Sequence, residues 1–268
     1  MAFDAEAAVD QFWQARQQGE FFPAGWADRL DLEQAYRVQL GIAERRRAAG
    51  ERQVGWKVDL TDAATRQRFN LDEPIFGCLF DEGLKPSGHA FRPGDLIKPA
   101  FEVEICVRLG QALSGEVDAA QVRGALDLCY AALEIVERRG DMAQQTALAL
   151  ADNAQQKAFV LGDPVPVSDE LQFDRIDVRV EVNGNTTVRT SSAAVLGNPL
   201  NSVAWLARKL AQFGHTLGPG DLIMTGSLTR QSSLVPGDKI RVDFAGLGTV
   251  VASVIAAPPK KRIPTTRP

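Results

Sequence analysis

Apolar and polar positions along the chain change period near residue 53. Before it, Phe3, Ala7, Ala8, Phe12 and Ala15 recur at helical spacing and predict a helix over 3–18. A second helix is predicted over 31–49, where Asp31 and Gln34 stand as in a capping box and Gly50 ends the pattern. After it the period is two. Val54, Trp56 and Val58 alternate with Gly55, Lys57 and Asp59, which predicts a strand with Lys57 on the face opposite Trp56. Residues 61–70 read as a short helix, and 74–80 as an apolar strand ending in the turn Asp81-Glu82-Gly83. Pro-Gly-Asp occurs at 93–95, 219–221 and 236–238, each time before β-forming residues, and each reads as a turn that opens a strand.

A helix over 118–129, with Asp118 and Gln121 as a second capping pair, leads into an apolar strand at 132–136. Residues 142–150 read as helical and 158–161 as extended. Asn183-Gly184 between alternating segments predicts a hairpin with a type I′ turn. Residues 199–213 form a helix with Asn198 at the cap, Pro199 in the first turn and Gly214 past the end. Strands then dominate to about residue 256. Helices first, then strands with a few inserted helices, give an α+β class and not a doubly wound sheet. The implied organisation is a helical cap over 1–52, a β-rich domain over 53–257 and a loose, basic, Pro-rich tail over 258–268.

With 268 residues, 45% apolar and 24% charged, the chain can bury a full core. A net charge of −4 gives no electrostatic reason to expect nucleic acid or an anionic membrane as partner. The Glu44-Arg-Arg-Arg47 run reads as a solvated face. Cys78, Cys106 and Cys129 sit in apolar context without a Cys-x-x-Cys, as reduced core residues of a cytoplasmic protein would. No signal peptide or membrane span is legible at the N-terminus. There is no phosphate loop, and Gly246-Leu-Gly248 lies between strands, which removes the dinucleotide fingerprint. His89 and His215 are the only histidines, and neither belongs to a recognisable nucleophile-base motif.

The chemistry concentrates in Phe101-Glu-Val-Glu-Ile-Cys106. On a strand Glu102 and Glu104 leave the same face, while Val103 and Ile105 enter the core. One reading is a solvated strand face, since carboxylates are mostly exposed. The other is a divalent cation site, because a hard cation such as Mg²⁺ takes oxygen ligands and relieves the repulsion. Glu134, an acid inside the apolar run Ala132-Leu-Glu-Ile-Val136, is the candidate third carboxylate.

Six segments in this order and spacing carry a resemblance: Gly55-Trp-Lys-Val-Asp-Leu-Thr61, Pro74-Ile-Phe-Gly-Cys-Leu-Phe-Asp81, Phe101-Glu-Val-Glu-Ile105, Ala132-Leu-Glu-Ile-Val136, Ala151-Asp-Asn-Ala154 and Ile223-Met-Thr-Gly-Ser227. The chain resembles the 2-oxopent-4-enoate hydratases and 4-oxalocrotonate decarboxylases of aromatic-compound catabolism, within the fumarylacetoacetate hydrolase superfamily. The resemblance implies a mixed β-roll core under the helical cap and a Mg²⁺ or Mn²⁺ site on Glu102, Glu104 and Glu134. It also implies Lys57 and Asp81 as catalytic residues, and Phe80, Gln155, Thr225 and Ser227 on the substrate side. A homo-oligomer, with association to a related pathway enzyme, follows from the same likeness.

The implied reaction is hydration of a 2-hydroxy-2,4-dienoate to a 4-hydroxy-2-oxo acid, with decarboxylation of a 2-oxo diacid as the alternative. Acylpyruvate hydrolysis lacks a recognisable base for water, and a non-catalytic partner subunit is the reading from another class. A desolvated Lys57 near a metal would have a lowered pKa suited to proton transfer. Three positions depart from the family pattern. Asp59 replaces a glycine and could pair with Lys57, Gln155 replaces a serine, and Glu137-Arg138-Arg139 replaces Asp-Ser-Arg. A diacid needs a cation at the far end of the pocket, and Arg138, Arg139, Lys157 and Arg230 are the candidates, each otherwise a surface charge.

Overall fold

The computed structural model describes residues 3–256, so the predicted tail over 258–268 lies outside the described residues. The chain opens with α1 (Ala5–Gln17) and α2 (Leu32–Ala48), then β1 (Gln53–Asp59), α3 (Ala63–Arg68), β2 (Ile75–Phe80), β3 (Leu84–Pro86) and β4 (His89–Phe91). Next come β5 (Pro99–Leu109), α4 (Ala119–Ala125), β6 (Leu126–Glu137), α5 (Thr146–Ala151), β7 (Gln156–Leu161) and β8 (Val165–Pro166). The hairpin β9 (Asp177–Val182) and β10 (Asn185–Ser191) precedes α6 (Pro199–Ala211), β11 (Leu222–Met224), β12 (Ser232–Ser233), β13 (Lys239–Phe244) and β14 (Gly248–Val254). The α+β class holds. The Asp31–Gln34 capping box forms in both directions, Asn198 caps α6 through Leu200 N–H, and Asn183 and Gly184 take the positive φ values of a type I′ turn.

Two sheets form the body. The larger, nine-stranded sheet runs β2-β1-β11-β5-β6-β7-β3, with β12 on β5 and β8 on β6. The smaller runs β10-β9-β13-β14-β4. Both are mixed: β1–β11, β3–β7 and β14–β4 are parallel and the other pairings antiparallel. The N-terminal helices share the core of the large sheet. Tyr36 of α2 stacks on Phe76 of β2 with centroids 4.3 Å apart, and Gln39 donates to Phe76 O and Leu150 O.

Several local expectations yield to tertiary pairing. The helix expected over 118–129 stops at Ala125, because Leu128 and Cys129 pair with Arg108 and Val107 of the long strand β5. The helix expected over 142–150 starts only at Thr146, after a turn in which the Asp141 carboxylate accepts from Ala143 and Gln144 N–H. At the first Pro-Gly-Asp the chain makes a 3₁₀ turn and enters its strand only at Pro99, whereas Gly220 and Gly237, at φ 89° and 98°, open strands as expected. Arg46 is no solvated side chain: it lies over the Phe80 ring at 3.7 Å and pairs with Glu51.

Candidate metal centre and cleft

Strand parity and register build the site. Glu102 and Glu104 share one face of β5, and the antiparallel register sets Glu102 directly opposite Glu134 on β6. Strand β11 is wedged between β1 and β5, and its last residue, Met224, pairs with both Lys57 and Cys106. Strand β11 ends at Met224, and two residues further along its neighbours stand Asp59 and Glu104, at the opening this leaves. Ligand oxygens of Asp59, Glu102, Glu104 and Glu134 lie within 4.8 Å of one another.

Lys57 is fully buried beneath this cluster. Its ammonium donates to Asp59 Oδ2 and Glu134 Oε1, each at 2.6 Å, and to Ala154 O at 3.2 Å. All three of its protons are therefore spent. The expected pairing of Asp59 with Lys57 is present and bears on the lysine's pKa. Desolvation does lower it, but the charges of Asp59, Glu134 and Glu102 outweigh desolvation and hold the ammonium well above its ordinary value. The carboxyls move the other way. Burial, reinforced by the neighbouring charge of Asp59, pushes Glu102 up to about 7. Burial and neighbouring carboxylates likewise push Glu104 and Glu134 well above the usual range, against the opposing pull of Lys57 on Glu134.

Four carboxylates face one ammonium. Glu104 Oε2 accepts from Gly226 N–H at 2.8 Å and Glu102 Oε1 from Gln231 Nε2 at 3.1 Å, yet Glu104 Oε1 and Glu134 Oε2 are buried without a partner. Each such orphan costs about 1–3 kcal/mol, more when charged. An all-oxygen donor set with orphaned buried oxygens fits a hard divalent cation. Gly226 is obligatory for the approach to Glu104: at φ 109°, a Cβ there would stand 2.5 Å from Thr61 Cγ2.

The contact with Ala154 depends on an unusual backbone. Asn153, Ala154 and Gln155 all adopt positive φ, 59°, 48° and 60°, a left-handed turn of non-glycine residues. This conformation costs about 1–2 kcal/mol per residue and persists only where its surroundings over-determine it. Two anchors hold it. Asn153 exchanges two hydrogen bonds with the main chain of Cys78, at 2.7 and 2.9 Å, completing the free edge of β2. Asp152 accepts from buried Arg139 at 2.6 Å, and Arg139 also donates to Glu137 at 2.9 Å. Arg139 is thus a structural cation and not a surface charge.

Asp59 and Glu102 form part of the lining of a cleft of about 890 Å³. Gln155 and Ser227 line it too, as expected for the substrate side, although the Gln155 amide donates to Gly140 O and the Ser227 hydroxyl to Thr229 O. Three expected residues are not brought there. Thr225 is fully buried and its hydroxyl donates to Ile105 O. The register of β1 and β2 sets Phe80 opposite Gln53, at the far end from Asp59, where it lies beneath Arg46. Asp81 follows it and pairs with Arg52 at 3.2 Å. Residues that local reading did not supply are Gln231, whose contact with Glu102 crosses from a loop distant in sequence, and Ala154, which acts through its carbonyl. Asp59 was legible as a partner of Lys57. Its membership of the carboxylate cluster comes from β11 ending early.

Among the described residues no helix is long and apolar enough to cross a membrane. Residues 65–255 match the fumarylacetoacetate (FAA) hydrolase C-terminal family. The chain is similar to the 2-keto-4-pentenoate hydratase of Paraburkholderia xenovorans, 33% identical over 255 residues that cover 91% of this chain and 93% of that one. It is similar to the TodF product hydratase of Pseudomonas putida, 33% identical over 85% of each chain. Its fold superposes on a structure of 4-oxalocrotonate decarboxylase from Pseudomonas putida G7 complexed with magnesium and adipate, with a TM-score of 0.87, 32% identity and coverage of 94% and 97%.

Proposed function

Because the chain belongs to the fumarylacetoacetate hydrolase family, we propose that it is a divalent-metal-dependent hydratase that converts a 2-hydroxy-2,4-dienoate to a 4-hydroxy-2-oxo acid. The observation that carries this is the carboxylate cluster at the cleft floor, with two orphaned oxygens and a buried lysine beneath. Glu102, Glu104 and Glu134 would hold Mg²⁺ or Mn²⁺, with Asp59 beside them. The cation would supply Lewis-acid polarisation of the substrate's carboxylate and C2 oxygen.

The chain's own groups do the rest. Lys57 orients Glu134 and Asp59, and Asp59 faces the cleft. Asp59 takes the proton of the C2 hydroxyl, and a proton is delivered to C5, which leaves a conjugated 2-oxo-3-enoate. Water then adds at C4 and a proton at C3, so the net change is one water gained. Lys57 acts here as a fixed ammonium and not as the base. Phe80 and Asp81 have no part in this scheme.

Decarboxylation of a 2-oxo diacid is the second reading, supported by the similarity to a decarboxylase across nearly the whole chain and by arginines on the cleft wall. The proposal includes a cytoplasmic location, supported by three free, buried cysteines, and a homo-oligomer that associates with a pathway partner, supported by exposed Ile97, Val235 and Ile255. The test is ultraviolet loss of 2-hydroxypenta-2,4-dienoate with Mg²⁺, run beside Glu104→Gln and Lys57→Ala. Metal-dependent turnover abolished in both variants supports the hydratase. Release of CO₂ from a 2-oxo diacid, with no hydration, would replace it with the decarboxylase.

A further inference from the structure

Two side chains lie over Gly77. The register of β1 and β2 sets Gly77 directly opposite Lys57. A Cβ at Gly77 would stand 3.1 Å from Asn153 Oδ1 and 3.2 Å from both Cγ and Cε of Lys57, tighter than ordinary contact. The lysine stem therefore crosses bare backbone, with the Asn153 amide alongside. That amide is fixed at both of its polar atoms. Cys78 N–H donates to Oδ1 at 2.7 Å, and Nδ2 donates to Cys78 O at 2.9 Å.

The surroundings of the turn are fixed as well. Buried Gln39 of α2 donates from its amide nitrogen to Leu150 O at 2.8 Å and to Phe76 O at 3.0 Å. Helix α5, which leads into the turn, and strand β2, which carries Gly77, thus share one anchor in the helical cap. One residue after Asn153, the Ala154 carbonyl accepts the third proton of Lys57. The other two go to Asp59 on β1 and Glu134 on β6. An ammonium held from three directions is a spacer, and it sets how far apart those two carboxylates stand. Without Ala154 O it is free to pivot between two acids, and the cluster can widen.

We infer that Asn153 is a positioning residue for ion size: acting through the Ala154 carbonyl, it holds Lys57 so that the carboxylate cluster keeps the spacing a small divalent cation needs. This rests on the reading that the cluster binds a divalent cation. Mg²⁺ demands near-octahedral oxygens at about 2.0–2.1 Å, whereas Ca²⁺ accepts irregular ones at about 2.3–2.6 Å. A cluster around a loosened lysine therefore penalises Mg²⁺ more than Ca²⁺. The strained turn agrees with this role. Asparagine tolerates left-handed backbone, but Ala154 and Gln155 hold it only because the amide of Asn153 is tied to Cys78.

The test is calorimetric titration of Mg²⁺ and of Ca²⁺ into the metal-free full chain, before and after Asn153→Gly. Glycine adopts positive φ freely but lacks the amide, so it separates the anchor from the backbone conformation. The expected result is at least a tenfold loss of Mg²⁺ affinity, with Ca²⁺ affinity kept within threefold. Gly77→Ala presses on the Lys57 stem and the Asn153 amide from the strand below. It is expected to shift the ratio the same way, and it carries the test if Asn153→Gly does not fold. Asn198→Ala, which removes the cap of α6, is expected to lower the melting temperature and leave both affinities within twofold. An unchanged ratio in folded Asn153→Gly or in Gly77→Ala, or the same shift in Asn198→Ala, overturns the positioning role alone. A parent chain that binds neither ion overturns the metal reading and the role with it.

Discussion

Two buried networks of charge share strand β6, and they are built on opposite principles. Near its end, Glu137, Arg139, Asp152 and Arg16 alternate in sign, with Arg139 against both acids and Arg16 3.5 Å from Asp152. Three residues earlier, Glu134 joins Glu102, Glu104 and Asp59 around a single lysine. The first network closes on itself, since Arg139, Arg16 and Lys157, the last 3.8 Å from Glu137, face its two acids. The second is left in deficit, with Glu104 Oε1 and Glu134 Oε2 buried without a partner. Balanced burial marks structure, and unbalanced burial marks a place kept for something else. The two also touch: Asp152 begins the left-handed turn whose Ala154 carbonyl completes the coordination of Lys57.

The largest effect should come from opening the closed network. Arg139→Met removes the buried cation that Glu137 and Asp152 share and is expected to cost about 3–5 kcal/mol in denaturant unfolding. A loss below 1 kcal/mol would mean that the network is ornamental. Filling the deficit should do the reverse. At a hundred times its dissociation constant Mg²⁺ is expected to stabilise the protein by about 2.7 kcal/mol, read as a rise in melting temperature that vanishes in Glu104→Gln.

Without metal, that same Glu104→Gln variant is expected to be more stable than the parent, by about 1 kcal/mol, because one of the crowded charges is gone. A less stable metal-free variant would show that the cluster is satisfied on its own. A further effect concerns pH. The folded Glu102 carboxyl, near 7, keeps a proton that the unfolded chain releases near 4.5. The folded state therefore binds more protons in that window, and metal-free stability should fall as pH rises through it. Chemical denaturation of metal-free protein between pH 5 and 8 measures this slope, and Glu102→Gln should flatten it.

Much of the fold was legible because its elements carry local chemistry. The caps at Asp31 and Asn198, the Asn183-Gly184 turn and the alternation around Trp56 each specify their own structure. The misread segments were those settled by distant partners. Leu126 to Cys129 would continue a helix, but β5 offers a ladder. At the site, Glu102 and Glu104 were readable from parity on one strand, and Glu134 from an acid set among apolar neighbours. Lys57 and Asp59 were readable as a pair. The resemblance supplied Phe80, Asp81 and Thr225, and the register carries none of the three to the cleft. What no local pattern contains is the early end of β11, the left-handed turn at Asn153 and the burial of Arg139, since each depends on chain that arrives from elsewhere.

The wedge strand β11 also sets a timetable. It occupies the middle of the large sheet but is the last strand of that sheet's continuous order to be synthesised. Until residues 222–226 leave the ribosome, β1 and β5 present unpaired edges to each other and to other nascent chains. Such a long-range parallel closure is slow by topology. A chain arrested before Leu222 already holds Lys57 and every carboxylate of the cluster, yet lacks the spacer that parts the strands around them. The carboxylate cluster therefore acquires its spacing only late in translation.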